Sequence, residues 1–104
     1  MTVTVPSTIP AASARAWYDE HHVDDVALYD ITRQAATLLS SILLARKQAA
    51  GDELEQEHWA ARRRLVKRQA AALNPEDRAE LVAQQQAWAH EIQALDAQPV
   101  PQPA

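Results

Sequence analysis

The chain has 104 residues, no cysteine, one glycine and a formal net charge of −4. That is one domain's length of sequence, and it excludes a disulfide framework, a thiolate metal site and a glycine-rich phosphate loop. Alanine is abundant, and the absence of Phe leaves the core to Leu, Ile, Val, Ala and three Trp, so composition predicts an all-α protein.

Met1 to Pro10 alternates Val and Thr between prolines and reads as an extended leader. It has neither a basic n-region nor a long apolar h-region, so it is not read as a signal peptide. The longest nearly apolar run of the chain is about half of the ~20 residues that a membrane span needs. The expectation is a cytoplasmic protein with no membrane partner.

Pro10 suits the first position of a helix, which would carry AASARAWYDEHH with Trp17 as its anchor. The next stretch, Ala27 to Ala50, is the densest apolar segment and predicts a hub helix. Ala27, Ile31, Ala35, Leu38, Ile42, Ala45 and Ala49 recur at three- and four-residue spacing, the rhythm of a helix packed on helices. Leu28, Leu39, Leu43 and Leu44 widen that stripe, and Arg33, Thr37, Ser40 and Arg46 or Lys47 leave a narrower wet side. Continued backwards, the stripe meets Asp24, Glu20 and Trp17. Two acids in the seam argue for a break near His22–Asp24, with Asp24 or Asp25 capping the hub helix. The alternative is one helix over 11–50, about 60 Å long at 1.5 Å per residue.

Gly51 is expected to end the hub helix and Asp52 to start the next, with Asp52 and Glu55 as a reciprocal capping box. That helix runs to about Leu73. Its expected buried face is Leu54, Ala61, Leu65 and Ala72, broadened by Trp59, Val66 and Leu73, with Arg62 near the middle of the stripe. Arg62 either reaches out to solvent or meets a carboxylate such as Asp30. Asn74-Pro75 marks the next boundary, with Asn as cap and Pro in the first turn. The last helix uses Leu81, Trp88, Ile92 and Leu95, with Arg78 and Gln85 in the same spacing. His90 and Glu91 are expected to face water. After Asp96 the tail AQPVPQPA is proline-rich. Short connections make neighbouring helices antiparallel. The expectation is an antiparallel three-helix bundle over 11–97 with a short extra N-terminal helix, between disordered termini: the leader 1–10 and the tail 98–104.

Three features could carry chemistry. Asp19-Glu20-His21-His22-Val23-Asp24-Asp25 is rich in metal-ligand types, but adjacent histidines point apart on a helix and bundle metal sites draw ligands from several helices. The reading is therefore an acidic, solvated joint with no metal and no cofactor. Glu55-x-x-His58 is one fragment of a di-iron pattern whose remaining inward carboxylates the hub helix lacks. Arg63, Arg64, Lys67 and Arg68 fall opposite the expected apolar stripe, a positive face of the kind a nucleic-acid binder uses. Against that reading stand the acidic total, the lack of interleaved aromatics and the way the charges complement their own helix dipole. Ser40 and Ser41 have no strained turn or adjacent base, so no nucleophilic catalysis is expected.

With no catalytic constellation, the expected class is a non-enzymatic interaction protein. The three-helix layout and the acidic, aromatic segment from Ala16-Trp17-Tyr18-Asp19-Glu20 through Tyr29-Asp30 resemble the small helical antitoxins, in particular the epsilon-type antitoxins that inhibit zeta-type toxin kinases. The resemblance is one of architecture over most of the chain. In that family an N-terminal helix covers the toxin's nucleotide-binding site. The resemblance implies a toxin-like protein partner held by Trp17, Tyr18, Asp19, Glu20, Asp24, Asp25 and Tyr29. Its mechanism would be carboxylates competing for a cationic pocket that holds phosphates. The runner-up is a small DNA-binding regulator using Arg63, Arg64, Lys67 and Arg68, and a metal-binding bundle is the third reading. Self-association through Trp59 and Trp88 at the stripe edges is a further expectation.

Overall fold

The computed structural model describes residues 24–98, which form three α-helices and no strand. They are α1 (Asp25–Ala49), α2 (Glu53–Ala71) and α3 (Arg78–Asp96). The leader, the helix expected over AASARAWYDEHH and residues 99–104 of the tail lie outside the described residues.

Each helix starts where a short acid can satisfy free backbone N–H groups. Asp24, in extended conformation, accepts from Ala27 N at 2.7 Å, so the hub helix begins at Asp25 and a single helix over 11–50 is ruled out. Asp52 accepts from Glu55 N at 2.8 Å. The carboxylate of Glu55 does not close the expected box but accepts from Trp59 Nε1 at 3.4 Å. The third start differs from expectation. Asn74 Oδ1 accepts from Glu76 N at 2.9 Å and Asn74 O from Asp77 N at 3.1 Å, making a turn around Pro75. Asp77 is the cap, accepting from Glu80 N at 3.1 Å. Gly51 is not a left-handed cap either: α1 ends at Ala49, Ala50 is extended, and the glycine's φ lies outside the left-handed region.

Helix α1 is the hub, packing against both α2 and α3, whose backbones do not approach each other. Its inward face is rotated by one residue from the expected stripe. Leu28, Thr32, Ala36, Leu39 and Leu43 are buried, whereas Leu38 is 53% exposed and Ala45 and Ala49 are exposed. The periodicity could not choose between these faces because Leu38, Leu39, Leu43 and Leu44 surround most of the helix. Helix α3 keeps Leu81, Trp88 and Leu95 inside as expected and adds Val82. Trp88 is thereby in the core and not at an exposed edge, which removes it from any self-association surface.

Helix α2 is rotated as well. Only Val66 is buried along it, with Leu73 following in the turn, and Leu54 is 84% exposed. Ala61 and Ala72 face outward, Trp59 packs against the core on the broadened side as expected, and Ala70 joins it there. Arg62 lies at the interface, where its Nη2 donates to Glu91 Oε1 and joins α2 to α3. Its partner is thus Glu91 and not Asp30, and Glu91 is half-buried where a water-facing position was expected. Two further links tie α1 to α3. Arg78 Nη1 donates to Asp25 Oδ1 at 2.9 Å where both helices start, and Thr32 Oγ1 lies 3.4 Å from Leu81 O.

Candidate functional site

Two regions concentrate the residues singled out in the sequence. One is the N-terminal end of α1 together with the turn before α3. Val26 is 73% exposed there. Asp25, Val26 and Tyr29 from α1 and Pro75 and Glu76 from the turn line one shallow depression. Its floor is apolar and aromatic, and its two charged groups are both carboxylates. The turn chemistry of Asn74-Pro75 brings Glu76 to a surface that sequence spacing alone assigns only to α1. Sequence reasoning missed Val26, Pro75 and Glu76. The only available signal was that Val26 falls outside the three-four rhythm of the hub.

Of the seven predicted partner-binding residues, Trp17, Tyr18, Asp19 and Glu20 lie outside the described residues. The other three share this end of α1, each with a structural duty. Asp24 caps the helix, Asp25 holds Arg78, and Tyr29 is half-buried against the core with the Arg33 guanidinium 5.8 Å from its ring centroid. Asp30 is exposed beside them.

The second region is the basic stretch of α2. Its four cations do not form one outward face, because the stripe they were measured against is rotated. Arg63 is half-buried at the α1–α2 boundary with its Nε covered by protein. Arg64 donates to Glu57 Oε1 at 2.5 Å, two turns back along α2. Lys67 lines the cleft between α1 and α2, and Arg68 is exposed in the last turn. The Arg64 hydrogen bond, and then its charge, hold the Glu57 carboxyl below the usual glutamate range; Lys47 contributes in the same direction.

Among the described residues no three His, Asp or Glu side chains gather where a metal ion could be held. His58 packs edge-on to Trp59, ring centroids 4.7 Å apart, and Glu55 is engaged with the same indole. Of the acidic joint, only Asp24 and Asp25 fall within the described residues. No described helix is long and apolar enough to cross a membrane. No family model, curated protein or solved structure matches the chain.

Proposed function

We propose that the protein is a non-enzymatic interaction protein, an antitoxin that binds and sterically inhibits a toxin-like enzyme with a cationic, phosphate-holding pocket. One observation carries this reading: the exposed Val26 sits with Tyr29 and Pro75 in a depression whose charged groups are Asp25 and Glu76. Apolar contact at the centre supplies affinity, and surrounding carboxylates select a basic surface. Trp17, Tyr18, Asp19 and Glu20, upstream in the chain, have the same acidic and aromatic character. Bound there, carboxylates occupy the positions that phosphate oxygens need, and the helix body blocks entry.

The same reading takes the bundle as antiparallel, up-down-up, with an extra helix before Asp24. Two contacts between α1 and α3 support it by running those helices the same way: Arg78 meets Asp25 where both start, and Arg46 meets Leu95 O where both end.

The test begins with affinity capture from the native host, followed by activity measurements on the identified partner. The expected result is a stoichiometric enzyme whose activity the protein inhibits. Val26→Asp with Glu76→Gln should weaken the complex at least about tenfold, since a central apolar contact is worth about 1–2 kcal/mol or more. Both positions are exposed, so these changes leave the fold intact. Unchanged affinity after trimming Trp17 and Tyr29 and neutralising Asp19, Glu20, Asp25 and Glu76 would rule the reading out.

A further inference from the structure

Three cations from two helices converge on the cleft between α1 and α2. Arg33 comes from α1, and Arg63 and Lys67 come from α2; Thr37, Ser40 and Ser41 line the same cleft, whose volume is about 370 Å³. Among the described residues, none of these cations lies within ion-pairing distance of a carboxylate. Arg62, Arg64 and Arg78 each hold one. Like charges gathered in one cleft repel each other, and low-dielectric walls focus their field, so the arrangement favours an anion between them.

The side chains are held ready for one. The Arg33 guanidinium lies over the face of Tyr29, and the Nε of Arg63 is covered by protein with no hydrogen-bond partner of its own. Such pre-positioning lowers the ordering cost of binding, and a guanidinium presents paired N–H donors matched to two oxygens of one oxyanion. Thr37 and Ser41 already donate to the carbonyls of Arg33 and Thr37, both at 3.1 Å. The Ser40 hydroxyl has no protein hydrogen bond among the described residues and remains a donor for a ligand. Ala36, Leu44, Ala70 and Ala71 complete the lining, and no carboxylate is part of it. Asp30 borders the adjoining hollow that Arg33 also lines.

We propose that this cleft binds a compact oxyanion of the phosphate class, either free phosphate or the phosphoryl group of a small phosphorylated ligand. The cations reach one cleft from two helices, where a compact anion can meet all three. The acidic total of −4 disfavours a long polyanion. The proposal does not depend on the antitoxin reading.

The experiment is an amide NMR titration of the full chain with inorganic phosphate, pyrophosphate and adenosine monophosphate, against sodium chloride at matched ionic strength. Saturable shifts at Thr37, Ser40, Ser41, Lys67 and Ala70 support the site. Affinity should drop about tenfold in Lys67→Gln, the loss of one charge-assisted hydrogen bond, and stay within about twofold in Arg68→Gln, an exposed cation outside the cleft. Arg63→Gln should act in the same direction as Lys67→Gln. If Arg63→Gln unfolds the interface, Lys67→Gln, at an exposed position, still decides. Shifts that grow linearly without saturation overturn the proposal. So does an equal loss in Arg68→Gln, or a short DNA duplex that binds more tightly than adenosine monophosphate and weakens equally in every variant. Those two outcomes reassign the charges to a diffuse basic face.

Discussion

Arg46, in the last turn of α1, donates from Nη2 to the carbonyl oxygen of Leu95 at 2.6 Å, and the same nitrogen reaches the carbonyl of Gln98. Helix α3 has no basic residue in its own last turn. The hub helix therefore supplies the charge that the C-terminal carbonyls of its neighbour require.

This contact makes Arg46 a stability residue despite its charge. Arg46→Ala should lower unfolding free energy by about 1.5–3 kcal/mol, the usual worth of a hydrogen bond to a charged group. Amide exchange should quicken first at Ala97 and Gln98, whose N–H groups bond to Gln93 and Leu95. Urea denaturation and hydrogen exchange measure the two effects. Unchanged exchange at these amides would show that the cap is not supplied from α1.

The rotation of the hub helix is testable with two adjacent leucines. Leu39 is fully buried and Leu38 is 53% exposed. Leu39→Ala should destabilise by about 2–5 kcal/mol, through lost burial plus a residual cavity. Leu38→Ala should change stability by less than about 1 kcal/mol, since surface substitutions seldom exceed about half that. Equal effects in chemical denaturation would mean the helix does not present the face described.

Thr32 is the one fully buried polar side chain among the described residues, and its hydroxyl donates to Leu28 O at 2.8 Å. Thr32→Val keeps the shape and removes the donor together with its desolvation cost, so it should lie within about 1 kcal/mol of the parent. Thr32→Ala also opens space between α1 and α3 and should be the more destabilising of the two. Thermal melts of the pair decide the order.

The Glu57 carboxyl should titrate below the usual glutamate range by carbon-detected NMR, and Arg64→Gln should move it back up. Because folding depresses this pKa, its contribution to stability is present above the unfolded-state value and is lost as pH falls through the folded one. Glu57 is exposed, so salt should erase most of the difference. An unshifted carboxyl at low ionic strength would refute the pairing.

Gly51 occupies a connection in which an added Cβ meets nothing within 4 Å and φ is not left-handed. Gly51→Ala should raise stability by about 0.4–1 kcal/mol, because it narrows the unfolded ensemble without straining the folded one. A fall in melting temperature would show that the connection needs glycine's freedom after all.

Local chemistry was legible where its cause is local. Asp24 and Asp52 are caps because a short acid before an apolar period meets N–H groups only three residues on. Leu81, Trp88 and Leu95 were readable as core because α3 has a single apolar stripe. At the candidate site, Tyr29 and Asp25 could be read from the acidic, aromatic run. Glu76 and Pro75 could not, because their place beside Val26 depends on how the turn before α3 folds against α1.

The sequence by itself determined the helical class, two of the three helix starts and the hub role of the central segment. Helix propensity, capping and length act within a few residues. Tertiary structure alone decided which face of the hub turns inward. With Leu38 and Leu39 on adjoining faces, periodicity sets the helix but not its rotation, and the choice is made by Val66, Leu81, Val82 and Trp88 packing against it. Tertiary structure also decided the fate of the arginines. Arg62 finds Glu91, 29 residues away, and Arg78 finds Asp25, 53 residues away. Arg63 is drawn into the α1–α2 boundary beside Lys67 and Arg33. Charge pairing depends on distance in space, and no spacing along the chain encodes which cations are paired and which remain in the cleft.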